Sequence, residues 1–254
     1  MTDTVAAMWP HEYDVMARLE DEHWWYQGLR QLTVEHLTRA GVDGDTRCLL
    51  DAGCGTGGCY HVLRRRFPAI SYVGIDVEPR ALDHCRHRGL HTVIQGSVNQ
   101  IPLRPASTDI VLCLDVLYFA SIDPRAALQH FSHALKPGGL LILNLPAFQV
   151  LRGRHDRAVG IPQRFRRTQV RELVEQAGFR VIKTTYWNMT LFLPLMLWRW
   201  LSRSRRTSKP TSDLLRVPRW LNAMLRGILA VEIWMTRWIS LPLGSSVFLV
   251  GQKA

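Results

Sequence analysis

The stretch LLDAGCGTGG at 49–58 sets Asp51, Gly53, Gly55 and Gly57 at every second position. Glycines spaced in this way let a backbone turn sharply and come close to a bound molecule, because no Cβ intervenes. An apolar, strand-like run precedes the stretch and a helix-like run follows it, which is the setting of a nucleoside-binding turn. Asp76 closes the next apolar run, SYVGID at 71–76. A carboxylate at that distance can accept hydrogen bonds from both hydroxyls of a ribose. A dinucleotide site would want Gly-x-Gly-x-x-Gly with a helix N-terminus facing a pyrophosphate, and the order here is different. The residues therefore point to an adenosine-type ligand of another kind.

Two further groups have side chains that could act on a second molecule. His23, Trp24, Trp25 and Tyr26 form one aromatic run, and His155-Asp156 lies in an arginine-rich stretch. An imidazole within hydrogen-bond reach can take a proton from a reacting group, so His23 and His155 are the candidate bases. Trp25 and Tyr26 are candidate contacts to the second molecule. The plainer alternatives are a helix packing its aromatics on the core and, for His155-Asp156, an exposed pair. Arg30 stands one helical turn after Tyr26 and could meet an anionic group, or else be a solvated surface arginine. The five cysteines are odd in number and form no Cys-x-x-Cys pair. They read as reduced core thiols of a cytosolic protein, and no metal site is expected.

The elements that must position these groups alternate along the chain. Short β-rich runs at 47–52, 71–76, 91–95, 108–114 and 139–144 are separated by helix-like segments at 57–67, 79–88 and 123–135. That alternation predicts an α/β fold with a parallel sheet. Pro79 and Pro124 suit first-turn positions, and Lys136-Pro137-Gly138-Gly139 is expected to turn the chain. A helix at 168–177, a strand at 179–186 and a last strand at 246–250 bring the sheet to seven strands. The segment 11–40 reads as one or two helices ahead of the sheet. The run 188–244 is far longer than an ordinary connection and must carry structure of its own. The organisation expected is an N-terminal helical cap (1–46), a core (47–187), a basic, Trp-rich helical insertion (188–244) and a final core strand (245–254).

The order Asp51-x-Gly53-x-Gly55-x-Gly57 resembles motif I of the class I S-adenosylmethionine-dependent methyltransferases. The similarity continues through GIDVEPRAL (74–82), STDIVLCLDVL (107–117) and LKPGGLLILNLP (135–146). The resemblance implies a Rossmann-like, mainly parallel sheet and S-adenosylmethionine as cofactor. It implies cofactor contacts at Asp51, Gly53, Cys54, Gly55, Gly57, Asp76, Val77, Ser97, Val98 and Asp115; for such a cofactor, the anionic group within reach of Arg30 would be its carboxylate. Ser97 stands where many relatives have Asp for the adenine amino group. Tyr118-Phe119 stands where many have Glu-His, which removes one familiar base and makes these two residues apolar acceptor contacts. EDEHWWYQGLRQL (20–32) and AGFRVIKTTYWNMTLFLP (177–194) resemble a bacterial subfamily with a His-Trp-Trp-Phe/Tyr box before motif I. In that fold the box sits on a helix covering the mouth of the cofactor site.

Methyl transfer from a sulfonium is an in-line displacement that positioning alone can largely drive. The reading is thus a methyltransferase acting on a small, apolar or lipid-like acceptor. Two alternatives are an RNA-directed methyltransferase and a non-enzymatic protein that binds membrane surfaces. Charge bears on both: 32 Lys+Arg against 21 Asp+Glu give +11, and ten of the basic residues against two acids fall between Trp187 and Ala254. Asn144-Leu-Pro-Ala-Phe148 is similar to the Asn-Pro-Pro-Phe box of nucleic-acid amino-methyltransferases, but it follows the fifth strand rather than the fourth. No aromatic-interleaved RNA module accompanies the arginines, which disfavours a nucleic-acid partner. The apolar run in 186–206 is too short for a membrane span and is interrupted by Pro194 and Arg199. A second segment, 219–239, predicts an amphipathic helix with Leu221, Met224, Leu225, Ile228 and Leu229 on one apolar face. The insertion is expected either to pack on itself and the sheet, to lie on a membrane, or to cover an apolar acceptor. A cytoplasmic location follows, at the inner membrane face if the second of these holds.

Overall fold

The computed structural model describes residues 8–42, 48–152, 163–192, 194, 196–197 and 217–254. His155 and the basic run 198–216 lie outside the described residues. Seven strands form one sheet: β1 (Cys48–Ala52), β2 (Ser71–Asp76), β3 (Val93–Gln95), β4 (Thr108–Leu114), β5 (Leu135–Pro146), β6 (Phe179–Trp187) and β7 (Ser246–Lys253). Their order is β3-β2-β1-β4-β5-β7-β6. β1 to β5 run parallel, and β7 enters antiparallel between β5 and β6. The fold is the α/β sheet that the alternation of runs predicts, in the Rossmann-like, mainly parallel form that the resemblance implies.

The central strands read as continuous apolar runs because both faces are covered. Leu50, Val111 and Leu141 pack with Phe131 on one face, and Leu49, Ile110 and Ile142 pack with Trp187 and Leu229 on the other. The α-helices with both ends among the described residues are α1 (Pro10–Leu19), α2 (Trp24–Arg39), α3 (Tyr60–Arg66), α4 (Pro79–His87), α5 (Pro124–Ala134), α6 (Arg167–Gln176) and α7 (Arg219–Thr236). Pro79 and Pro124 open their helices, and the Glu78 and Asp123 side chains cap them by accepting from Arg80 N and Arg125 N. Strand order reverses between β1 and β4, and in open parallel sheets the crevice at such a switch point is where ligands bind.

The structure corrects three details of the sequence reading. The helix expected from 57 begins only at Tyr60, because Gly57 holds φ 80°, outside any right-handed helix. The expected Lys-Pro-Gly-Gly turn does not separate helix from strand but bulges within β5: Thr108 pairs Leu135 while Ile110 pairs Leu140. The apolar positions of 219–239 do not share one destination. Leu229 is buried against Gly28 of α2, Leu221 and Leu225 wall a cavity, and Met224 is exposed.

α7 packs on the N-terminal cap. Asn222 Oδ1 accepts from Trp24 N (2.8 Å), His36 meets Thr236 (3.1 Å), and Arg237 pairs with Glu35 (2.7 Å). Among the described residues, no helix is long and apolar enough to cross a membrane. The five cysteines are free thiols.

Candidate active site

The glycine loop leaves β1 at the switch point. Gly53, Gly55 and Gly57 have φ of 85°, 52° and 80°, the left-handed region that side chains resist. Gly53 has a second reason to be glycine, since a Cβ there would overlap the Val116 side chain. Gly53 N and Cys54 N both donate to Ile75 O (2.8 and 3.0 Å), which stitches the loop to the end of β2. Asp76 then completes the turn: Oδ2 accepts from Gly55 N (2.9 Å) and Oδ1 from Glu78 N (3.1 Å). Burial pushes the Asp76 carboxyl above its ordinary range, and the Glu78 and Gly55 N–H groups oppose that shift. Each oxygen keeps a lone pair for a further donor.

The cap is latched to this loop by charge. Glu20 is buried, accepts from the Thr56 hydroxyl and pairs with Arg88 (2.9 Å), while Arg88 also reaches Asp21 (2.8 Å). Burial raises the Glu20 carboxyl, with Thr56, Arg88 and Arg30 pulling the other way. A Cβ on Gly58 would overlap the Glu20 carboxylate, so this glycine serves the latch. Arg30 donates to Gly58 O (2.7 Å), to Glu20 O and to Asp21 (3.3 Å). It is thus set against the glycine loop by the cap rather than left in solvent.

One cavity of about 930 Å³ joins these parts. Its inner half is lined by Asp51, Gly53, Cys54, Gly55 and Asp76, with Val77, Ser97 and Val98 beyond the β2 end and Arg30 beside the loop. Its outer half is mainly apolar, lined by Trp24, Trp25, Tyr118, Phe119, Leu191, Pro194, Leu221 and Leu225, with Arg164, Asn188 and Ser245 also on the wall. Asp115, His23 and Tyr26 also line it, so nearly every site residue expected from the sequence converges here. Gly57 does not line the cavity; it packs toward Cys85 and shapes the turn from behind, while Gly58 and Cys59 reach the wall. A second cleft of about 660 Å³, with Arg125, Arg166 and Gln169 on its wall, lies beside α5 and α6 and includes none of the glycine loop.

The structure adds a network that no spacing in the sequence displays. Asp115 follows β4 with a left-handed backbone, φ 60°. Its Oδ2 accepts from Asn144 Nδ2 (2.8 Å), and Asn144 Oδ1 accepts from Trp187 Nε1 (2.7 Å). Trp187 in turn stacks on Trp25 of the cap, with ring centroids 5.7 Å apart. Asn144 sits within β5 and Trp187 ends β6, so the chain of contacts crosses the sheet. Burial raises the Asp115 carboxyl to about 7, against the opposing pull of Asn144 and Arg164. A half-buried carboxyl with a left-handed backbone on the cavity wall makes Asp115 a candidate for handling a proton.

His23 caps α2: its Nδ1 accepts from Trp25 N at 3.3 Å. A neutral ring held that way carries its proton on Nε2, so acting as a base would mean giving up the cap. Burial lowers the His23 pKa and keeps it neutral.

Asp51 is the second carboxyl raised to about 7, by burial first, with the Tyr72 hydroxyl donating to it and the Asp76 and Glu20 charges adding to the rise. Its folded value lies above the ordinary 3.8, so the folded state binds the extra proton between those limits. Stability from this group is complete below the lower value and lost as pH climbs through the upper one. The ligand-free protein is expected to lose thermal stability relative to Asp51→Asn as pH rises from about 4 to about 8. A melting-temperature difference independent of pH would show that Asp51 ionises normally.

Residues 50–143 match the family model described as a methyltransferase domain. A malonyl-[acyl-carrier protein] O-methyltransferase of Xylella fastidiosa is 30% identical over 53% of this chain and 44% of its own length. A fatty-acid O-methyltransferase of Mycolicibacterium smegmatis is 31% identical over 42% of this chain and 40% of its own. The chain thus spans less than half the length of these curated relatives. Among solved structures, phosphoethanolamine N-methyltransferase 2 of Haemonchus contortus in complex with S-adenosyl-L-methionine superposes with a TM-score of 0.58. It is 18% identical, covering 90% of this chain and 52% of that one, which is a likeness of fold. Residues 50–143 are thus similar to a methyltransferase domain, and the chain shares the Rossmann-like fold of that structure.

Proposed function

We propose that the protein is an S-adenosylmethionine-dependent methyltransferase acting on a small molecule with an apolar, lipid-like body. The observation that carries this reading is a single cavity whose polar inner half holds the glycine loop and Asp76, and whose outer half is mainly apolar. The inner half fits S-adenosylmethionine: a loop without a Cβ at Gly53 and Gly55, and a buried carboxylate with lone pairs to spare. When bound, the cofactor supplies a methyl group on a sulfonium, an electrophile that needs no further activation.

The chain's own residues do the rest. Asp76 holds the ribose hydroxyls, Val77 and Val98 flank the adenine, and Ser97 offers its rim a hydroxyl. Asp51 places a carboxyl under the glycine loop, and Arg30 stands ready for a carboxylate. Trp25, Tyr26, Tyr118 and Phe119 exclude water and orient the acceptor, which makes displacement effectively intramolecular. Asp115 takes the proton where the acceptor must shed one; its Oδ2 is engaged by Asn144, so Oδ1 is the receiving atom. His155 is the second candidate base, read from the sequence alone. Placement in the narrower group with the His-Trp-Trp-Phe/Tyr box belongs to the same proposal. What supports it is that His23 to Tyr26 all line the cavity. Two relatives named for acyl substrates support an apolar acceptor.

Equilibrium dialysis with labelled S-adenosylmethionine is expected to show one bound equivalent per chain, and cell extract given labelled cofactor is expected to yield a labelled apolar product. Absence of binding would sink the proposal.

A further inference from the structure

α7 presents three different faces. Leu229, Glu232, Ile233 and Thr236 are buried toward the cap and β6, and Leu221 and Leu225 wall the acceptor half of the cavity. Among the described residues the third face is largely uncovered, with Arg39 lying over Trp238. Trp220, Met224, Gly227, Val231, Trp234 and Trp238 recur at alternating intervals of four and three, which places them in one stripe along a helix. Trp220 is 70% exposed, Val231 59%, Trp234 55% and Trp238 71%, and Gly227 has open space above it. Ile239 and Leu243 continue the exposed apolar surface past the end of the helix.

Contiguous apolar surface of this kind marks an interaction site rather than ordinary protein exterior. Its composition and charge identify the partner. Indoles combine an apolar ring with one polar N–H and concentrate at the boundary between hydrocarbon and water. Cations flank the stripe: Arg219 and Arg226 are exposed on α7, and the Arg39 guanidinium lies 5.3 Å over the Trp238 ring. The one acid of α7, Glu232, is buried and accepts from Met189 N (2.8 Å) and Thr190 N (2.7 Å), so the helix offers no carboxylate outward. The chain entering α7, residues 199–219, carries seven Lys/Arg against Asp213 alone. A stripe with this spacing could also pair with itself in a second copy. Self-pairing would gather the arginines of both copies at one seam, whereas an anionic surface neutralises them.

We propose that the outer stripe of α7 docks the protein on an anionic lipid bilayer, with the helix lying in the interface plane. Trp220, Trp234 and Trp238 enter the headgroup boundary, and Arg39, Arg219 and Arg226 meet lipid phosphates. The docked helix is the same one whose Leu221 and Leu225 wall the acceptor chamber, so a membrane-resident acceptor would have a short path inward. That last step rests on the methyl-transfer reading; the docking does not.

Flotation of the full chain with phosphatidylglycerol-containing vesicles, against phosphatidylcholine alone, tests it. Binding is expected to the anionic vesicles only, and to be released as salt rises. The variant Trp220→Ser/Trp234→Ser/Trp238→Ser is expected to lose at least about tenfold in vesicle affinity while melting like the wild type. Wild-type protein that ignores anionic vesicles overturns the proposal, as does a triple variant that binds undiminished. Sedimentation velocity showing a wild-type dimer that the triple variant dissolves, without vesicle binding, assigns the stripe to a second copy instead. Should the triple variant fail to fold, Arg219→Glu/Arg226→Glu must lower anionic-vesicle binding by a similar factor, or the proposal falls. Cofactor dialysis on the same preparations reads the methyltransferase proposal separately, since docking needs no bound cofactor.

Discussion

Asp76→Ala is expected to weaken S-adenosylmethionine binding by about 100-fold or more. A carboxylate accepting from two ribose hydroxyls makes two charge-assisted hydrogen bonds, each worth about 1.5–3 kcal/mol, and every 1.4 kcal/mol is about tenfold in affinity. The substitution also strips Gly55 N and Glu78 N of their acceptor, so the loop loses the contact that aims it at the ligand. Asp76→Asn keeps one acceptor oxygen but turns an amide N–H toward a backbone N–H, and should fall between wild type and Ala. Stability should change far less than affinity, because removing a buried carboxyl also relieves the burial that raises it. Titration calorimetry with the cofactor, paired with a denaturant melt, separates the two. An unchanged dissociation constant would mean that the carboxylate serves only the turn.

The second large effect is on stability and reaches the site indirectly. Trp187→Ala should cost about 3–5 kcal/mol of unfolding free energy, a large share of what a domain typically has. The ring is fully buried, stacked on Trp25, and its Nε1 satisfies Asn144 Oδ1. Trp187→Phe is the informative companion. It keeps most of the packing, yet leaves a buried amide oxygen unpaired at a cost of about 1–3 kcal/mol. Asn144, freed on that side, no longer holds Asp115 at a fixed angle, so turnover should fall in Trp187→Phe even where the protein is folded. Urea denaturation followed by cofactor binding and turnover checks each step. Full turnover in Trp187→Phe would show that the network only holds the core together.

Much of the inner site was legible because its geometry is local. Asp51 through Gly57 belong to one strand–turn–helix unit, and Asp76 closes the very next strand, so spacing along the chain is nearly spacing in the molecule. Gly57 lies behind the cavity wall for a local reason of the same kind: a glycine needed for a left-handed turn and one needed for close approach look alike in a sequence. His23 is similar. Its place beside Trp25 is visible, but its work as the cap of α2 depends on a hydrogen bond that only the helix start creates.

The amino-acid sequence by itself determined the α/β sheet, the approximate positions of its strands along the chain and the residues of the glycine turn, since each follows from short-range periodicity and turn chemistry. Only the tertiary structure decided the Asp115–Asn144–Trp187 line, whose members come from the turn after β4, from β5 and from β6. It alone decided that α7 packs on α2, with Trp24 and Asn222 meeting across 198 positions. Helical periodicity gives an apolar face but not what covers it. For α7 the answer differs around the helix, because the cap, the cavity and open solvent each meet a different side.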